Sequence, residues 1–388
     1  MRVKMDDFYE IDILDVDSDK SGDAICLRYK LNGATYIHVV DGGFQDTGNI
    51  LVTHINEHYD DPIHINHVVL THNDQDHAGG LRKILEEYEV GTLWMLKPWD
   101  YAHEIIHRFS RYASVESLQK KLREIYSNID ALEKIAIENG IEIREPFQGK
   151  KIGEFIVLSP SKKAYLDLIV DSPKTPDAKN IAENIQRAGL TTLPYPTPVP
   201  QTTLNSFMTS PLSTLGEIYS KTVEFIKSAW GDENLSQEET SPENEMSIVQ
   251  YANLHGRKVL LTGDAGKAAL RSSINYATTI GIQFPGINFF QVPHHGSRRN
   301  VSSEILDEIL GPILKNKPLP GEEQFTAVVS AAKKDANHPR KSVIRAIIHR
   351  GGKLVKTEGK HLRHSHKAPP RTGWGPAEPA HYPDDQES

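Results

Sequence analysis

Apolar residues come in short runs through the first forty positions, and polar turn residues separate the runs. Residues 11–16, 24–29 and 35–40 read as strands, with Gly22 and the Asn32-Gly33 pair in the turns, which predicts an antiparallel start. Asp41-Gly42-Gly43 closes the third strand, and residues 49–58 then show helical spacing. An apolar strand at 67–71 runs directly into His72-Asn73-Asp74-Gln75-Asp76-His77, followed by Gly79-Gly80 and a helical stretch at 81–88. The longest helix is predicted over 115–139. There Leu118, Leu122, Ile125, Ile129 and Leu132 recur every three or four positions, and Gly140 stops the run. Residues 152–158 again read as a strand.

The pattern dissolves at 171–243. Pro194, Pro196, Pro198 and Pro200 crowd together and Ser, Thr and Asn are frequent, which predicts a mobile insertion with one helix at about 215–230. Such a segment is suited to a lid or to a homodimer contact. β-rich runs return at 247–252, 258–262, 288–292 and 325–330, and 341–349 has helical periodicity. The Pro-rich, polar stretch 361–388 is expected to be disordered. The domain reading is one catalytic domain over 1–360, interrupted by the insertion, plus that tail.

Composition narrows this to a globular protein, with 38% hydrophobic and 25% charged residues. A single cysteine, Cys26, excludes an internal disulfide and any Cys-rich zinc module. The first ten residues are polar and acidic, unlike a secretion signal. No window approaches the ~18 apolar residues of a membrane span. A soluble, cytoplasmic protein without a membrane partner is expected. The net charge of −8 argues against a generally DNA-coating surface. The charge is uneven, however: positions 331–370 hold eleven Lys or Arg against Asp335 and Glu358, near +9. Such a band can meet a phosphate-bearing ligand locally, or simply be a solvated face.

The chemistry is concentrated in three places. His72-x-Asp74-x-Asp76-His77 sets four ligand-type side chains within six residues, between a strand and a helix. They cannot share one face of a regular element, but on a tight loop they can converge on a point. Imidazole and carboxylate suit zinc, manganese or iron. Asp264 in Thr262-Gly263-Asp264 and His294-His295 after Pro293 also follow apolar strands. Three ligand sets at three strand ends point to a metal centre built from His72, Asp74, Asp76, His77, Asp264 and His294. The other histidines, such as His38, His54, His58, His103 and His107, are expected to be surface or hydrogen-bonded residues. His361, His364 and His366 lie in the loose tail. Trp94, Trp99 and Tyr101 are expected to be packing residues rather than a stacking platform.

These motifs resemble the metallo-β-lactamase fold superfamily. Within it they are most similar to the metallo-hydrolase domain of the ComEC competence proteins, through Gly22-Asp23-Ala24, Pro293-His294-His295-Gly296-Ser297 and His338-Pro339. The resemblance spans about 11–360 without the insertion, and without the membrane channel of those proteins. It implies an α+β fold, a four-layer αβ/βα sandwich with the metals at one edge between the sheets. It implies two divalent ions, Zn²⁺ or Mn²⁺. His72 and Asp74 would serve the first and Asp76, His77 and His294 the second, with Asp264 bridging. His295 would lie behind the ligands or face substrate, and His338 would steady a leaving oxygen or hold a phosphate. The family's second motif histidine is Asp74 here. The third-motif histidine is absent, and the matching stretch offers Asn244 and Ser247 to line the first site. That makes the first site oxygen-rich and Mn²⁺ credible there.

The functional expectation is a metal-dependent phosphodiesterase acting on DNA or RNA through water ionised by the metals. Asp76, His295 and His338 are the expected catalytic residues. Arg298, Arg299, Lys333 and Lys334 are the expected phosphate contacts, with Arg340 and Lys341 in the same basic band. One alternative is hydrolysis of a small cyclic nucleotide, lactone or ester in a pocket closed by the insertion. The other is a weakly catalytic, metal-stabilised binding or regulatory module.

Overall fold

β-Branched and aromatic residues on alternate positions build two sheets that share one core. In the computed structural model, which describes residues 7–16, 18–175 and 225–388, β1 (Phe8–Ile13), β2 (Ala24–Leu31) and β3 (Ala34–Gly42) form an antiparallel meander. Asn32 and Gly33 make the β2–β3 turn at φ of 50° and 86°, the left-handed pair that a two-residue hairpin requires. β4 (His64–Val69), β5 (Glu89–Trp94) and β6 (Glu142–Arg144) then add in parallel beside β3.

The second sheet contains the antiparallel strands β7 (Lys151–Ile152) and β8 (Phe155–Ser159). After β9 (Phe225–Lys227), it takes β10 (Val249–Leu254), β11 (Arg257–Leu261), β12 (Phe289–Gln291), β13 (Phe325–Val329) and β14 (Gly352–Lys356). β15 (Leu362–His366) returns to pair with β1, and β16 (Asp385–Glu387) pairs with β9. The orders are β15-β1-β2-β3-β4-β5-β6 and β14-β13-β12-β11-β10-β8-β7.

Alternation along the strands explains the layering, because successive side chains point to opposite faces. On the second sheet, Val259, Leu261, Phe289 and Val328 join the core shared with the first sheet, which includes Ile25, Leu27, Val39 and Val68. Their neighbours Leu260, Phe290, Ala327 and Val329 turn the other way, onto helices Lys267–Thr279, Ser303–Leu310 and Lys341–His349. Helices Thr47–His58, Leu81–Glu87 and Ser127–Glu138 cover the outer face of the first sheet. Helix, sheet, sheet and helix give the expected α+β four-layer sandwich. Trp94, Trp99 and Tyr101 are buried packing residues, as expected. Among the described residues, no helix is long and apolar enough to cross a membrane.

Four expectations need correction. The helix predicted over 115–139 is two helices, Val115–Ile125 and Ser127–Glu138, broken at Tyr126 with φ −99° and ψ 50°. Asn73 enforces the break: its Oδ1 accepts from Ile129 N at 3.3 Å, and its carbonyl accepts from Asn128 Nδ2 at 2.8 Å. The strand at 152–158 is a hairpin turned at Gly153, φ 57°. Residues 176–224, the body of the expected insertion, lie outside the described residues. Of the helix expected at about 215–230, residues 215–224 lie outside the described residues, and 225–227 form the strand β9 instead.

Finally, the stretch 361–388 is part of the fold. β15 extends the first sheet, and Arg363 and Arg371 reach Glu10 and Asp12 on β1, which are fully buried. Glu10 also pairs with Arg28, and Asp12 accepts from the Tyr59 hydroxyl at 2.6 Å. Two buried carboxylates require this company, because an unpaired buried charge is strongly destabilising. Replacing Arg371 by Met should therefore lower stability by about 3 kcal/mol in urea unfolding. A loss under about 1 kcal/mol would show that the pairing does not anchor this segment.

Candidate metal centre

The site lies where parallel strands end, the usual place for ligands in such sheets. β4 leads through Leu70 and Thr71 into the His72–His77 loop, β11 leads into Asp264, and β12 leads into His294 and His295. Glycines let the first loop lie flat on β3: a Cβ on Gly80 would sit 2.1 Å from the Gly42 carbonyl oxygen, and one on Gly42 would sit 2.4 Å from Leu81 N. His294, His295 and Gly296 are all left-handed, at φ 47°, 53° and 82°. For the two histidines this conformation costs roughly 1–2 kcal/mol each. Hydrogen bonds from Ser297 N to the His294 carbonyl (2.9 Å) and from Arg340 N to the Gly296 carbonyl (3.0 Å) hold the turn.

Asp264 is the centre, 2% exposed. Its Oδ1 lies 3.3 Å from His77 Nε2 and 3.9 Å from His295 Nε2. Its Oδ2 lies 3.7 Å from both His72 Nε2 and His294 Nε2. Asp76 Oδ2 joins the first group, 3.4 Å from His295 Nε2 and 3.8 Å from His77 Nε2. Asp74 Oδ2 joins the second, 3.8 Å from His72 Nε2. Two trios, His72-His77-Asp264 and Asp76-His77-His295, each bring their ligand atoms within 4.8 Å of one another. The open face is formed by Asp74, Asp76, His294 and His338, whose side chains are partly exposed.

The remaining ring nitrogens are held from behind. Asp41 Oδ2 faces His77 Nδ1 at 2.8 Å, and its two oxygens accept from the Thr71 amide and hydroxyl. That hydroxyl faces His72 Nδ1 at 3.0 Å. Asn244 Nδ2 and Asn300 Oδ1 lie 2.9 and 3.0 Å from His294 Nδ1. Gln291 ties the sheets together: its Nε2 donates to Asp23 Oδ2 at 2.8 Å, while its Oε1 accepts from Thr262 N and Gly263 N.

These residues fit a divalent cation. Nε2 of His72, Nε2 of His77 and Oδ1 of Asp264 are buried without a hydrogen-bond partner. An unsatisfied buried group costs about 1–3 kcal/mol, so three converging ones call for a shared partner. Imidazole and carboxylate at about 2.1 Å from an ion lie about 3.4 Å apart, close to the spacings found here. Held from behind, the imidazoles are oriented as ligand histidines usually are.

Metal-free, the cluster holds protons. Burial favours neutral His77, but Asp264, Asp41 and Asp76 outweigh it and raise its pKa well above the ordinary value. Burial likewise opposes charge on His295, yet Asp264, Asp76 and Asp23 raise it to about 9. Burial would raise Asp264, but His77, His294 and His295 hold it well below the carboxylate range.

Of the residues expected from the sequence, His72, Asp74, Asp76, His77, Asp264 and His294 come together here. The distribution differs in one respect: His295, not His294, stands beside Asp76 and His77, and His294 faces the His72 side. The left-handed turn sends the adjacent rings to opposite oxygens of Asp264. His338 stacks on the His294 ring at 5.6 Å, with its Nδ1 3.2 Å from Asp335 Oδ2. Ser247 is fully buried behind His72 and cannot reach a substrate. Asn244 supports His294 and is itself 6% exposed.

The expected phosphate contacts are engaged elsewhere. Arg298 binds the Ser388 carbonyl, Arg299 pairs with Glu238, and Lys334 pairs with Asp19. No contact between Lys333 and the cluster is seen among the described residues. Part of the basic band is internal: Arg345 and Arg350 are buried, and Lys341 makes a partly exposed pair with Asp385. His364, assigned to a loose tail, sits in β15, and His38 is buried with both ring nitrogens unpartnered. The orienting roles of Asp41, Asp23, Thr71 and Gln291 were not anticipated. The available signal was a polar residue at each end of an apolar strand.

The metallo-beta-lactamase superfamily model matches residues 31–202. Among solved structures the chain is similar to the hydrolase AbOPH of the beta lactamase superfamily, at 8% identity over 66% of this chain and 68% of that one, TM-score 0.31. It is similar to CmlA beta-hydroxylase, solved as a mutant, at 14% identity over 93% of this chain, TM-score 0.36, and spans 54% of that protein's length. It is also similar to a protein from Thermotoga maritima described as a putative metallo-beta-lactamase, at 12% identity over 46% of this chain and 92% of that one, TM-score 0.24. No curated protein matches the sequence.

Metal binding requires neutral imidazoles, and His295 titrates at about 9 without metal. Adding Zn²⁺ or Mn²⁺ at pH 7 should therefore release protons, and affinity should rise as pH increases toward 9. Calorimetry in buffers of different ionisation enthalpy measures the release. Asp264→Ala should abolish tight binding, and pH-independent binding without proton release would contradict this protonation scheme.

Proposed function

We propose that this chain, which carries a metallo-beta-lactamase superfamily domain, is a two-metal hydrolase of phosphodiester bonds. The observation that carries the reading is the buried Asp264 carboxylate, whose oxygens face two different imidazole pairs. His72, Asp74 and His294 would hold one ion and Asp76, His77 and His295 the other, with Asp264 shared. Two such ions acidify water and stabilise charge on the attacking and leaving oxygens of an in-line displacement.

The chain's own groups fit that chemistry. Burial is the largest factor holding the His338 pKa below the ordinary imidazole value, which favours the neutral ring. With Nδ1 donating to Asp335, its Nε2 is the acceptor available for a proton. Oxygen ligands from three aspartates keep both Mn²⁺ and Zn²⁺ eligible. The ComEC-type assignment is supported by the Gly22-Asp23-Ala24 motif. A Cβ on Gly22 would lie 2.7 Å from the Asp76 carbonyl oxygen, and Asp23 lies 3.9 Å from His295 Nδ1. The motif therefore forms part of the wall behind the ligands.

Nucleic acid is the first substrate class for this reading. One observation favours a small phosphodiester instead: Arg345, Arg350 and Arg363, part of the basic band, are held in internal contacts. A polymer groove needs free cations along its length.

Metal-stripped protein reloaded with Mn²⁺, Zn²⁺ or Mg²⁺ should cleave end-labelled DNA or RNA, or a small phosphodiester. The Asp76→Ala/Asp264→Ala variant should lose at least about 1,000-fold, the scale of removing the groups that stabilise the transition state. Bound metal with cleavage of esters or lactones but of no phosphodiester would overturn the proposal.

A further inference from the structure

We propose that Lys174 is the cation of this site that grips an anionic phosphoryl oxygen and so selects charged esters over neutral ones. The inference rests on the phosphodiester reading above.

Lys174 follows helix Lys162–Asp171 in a turn built from buried groups. Ser172 and Thr175 are 2% and 1% exposed. The Ser172 hydroxyl donates to Glu243 Oε1 at 2.5 Å and accepts from Lys174 N at 3.1 Å. Thr175 Oγ1 contacts the carbonyls of Ile169 and Ser172 at 2.6 and 3.0 Å. Glu243 is itself buried and precedes Asn244, which supports His294. The turn is therefore fastened to the same segment that steadies the metal cluster.

What this turn presents outward is an ammonium group. Lys174 Nζ lies 3.5 Å from Asp74 Oδ1, while Asp74 Oδ2 faces His72. The Lys174 and Asp74 side chains are 45% and 36% exposed. A pair so exposed contributes little to stability, so folding alone does not explain a buried turn that aims it. Its place is beside Asp74, one of the partly exposed carboxylates on the open face of the cluster. A flexible four-carbon stem lets the ammonium move from Asp74 to a substrate oxygen nearby without leaving the site. Arg298, Arg299 and Lys334, three of the expected phosphate contacts, are turned to Ser388, Glu238 and Asp19, none of which belongs to the cluster.

The test uses Lys174→Met and Lys174→Arg in the metal-loaded protein, with metal content measured for each. Activity is compared on bis(p-nitrophenyl) phosphate, an anionic diester, and p-nitrophenyl acetate, a neutral ester. Inorganic phosphate binding is measured separately by calorimetry. Lys174→Met should lose about 30–100-fold in kcat/KM on the diester, stay within twofold on the acetate, keep its metal, and bind phosphate about tenfold more weakly. Lys174→Arg should keep most of the diester activity. Equal losses on both substrates, loss of metal, or unchanged phosphate binding would each overturn the inference. If the wild-type protein cleaves only the acetate, the phosphodiester reading fails. The phosphate arm then decides separately whether Lys174 is an anion contact.

Discussion

A carboxylate buried as deeply as Asp264 stays ionised only among cations or strong donors. Four imidazoles from two chain segments surround it, and they do so only if β4 in one sheet and β11 and β12 in the other end at the same edge. The parallel arrangement of β3–β5 and of β11–β14 satisfies that condition, because successive loops then emerge on one side. The Gln291–Asp23 hydrogen bond fixes the two sheets to each other directly beneath the cluster.

The imidazoles are oriented by the same economy of nitrogens. His77, His72 and His294 each engage Nδ1 with a polar neighbour, which leaves Nε2 for the centre. His295 is different: its Nε2 meets Asp76, and its Nδ1 lies unpartnered near Asp23. The left-handed backbone at His294 and His295 makes this division workable. An extended dipeptide would also send adjacent rings to opposite sides, but across a strand rather than around a single carboxylate. His294 thereby brings a second imidazole to the His72 side of Asp264.

Charge was the least legible property. The excess of Lys and Arg after position 331 reads in sequence as a basic surface. In the fold, Arg345 donates to backbone carbonyls of 229, 232 and 383, Arg350 pairs with Glu233 and Asp307, and Arg363 and Arg371 pair with β1. Their partners lie up to 361 residues away along the chain, and no local pattern reveals them. The same blindness explains the 361–388 stretch, whose polar composition suggested disorder. Its arginines answer two carboxylates buried at the other end of the chain. Asn73 likewise divides a helix whose periodicity runs on unbroken, because the capping group comes from a loop more than fifty residues earlier.

The opening antiparallel strands with their turns, several later strands and the residue types of the candidate metal centre were legible in local sequence signals, whereas the two-sheet α+β sandwich followed from the resemblance of the motifs and the order of strands in each sheet from the fold. Alternation, turn residues and a dense His/Asp cluster at strand ends are local signals, written within a few residues of one another. The tertiary structure decided which imidazole faces which oxygen of Asp264, which polar groups hold them from behind, and which of many cations stands at the open face. Each of those depends on contacts between segments distant in the chain, and burial sets their strength by removing the water that would otherwise satisfy every group equally.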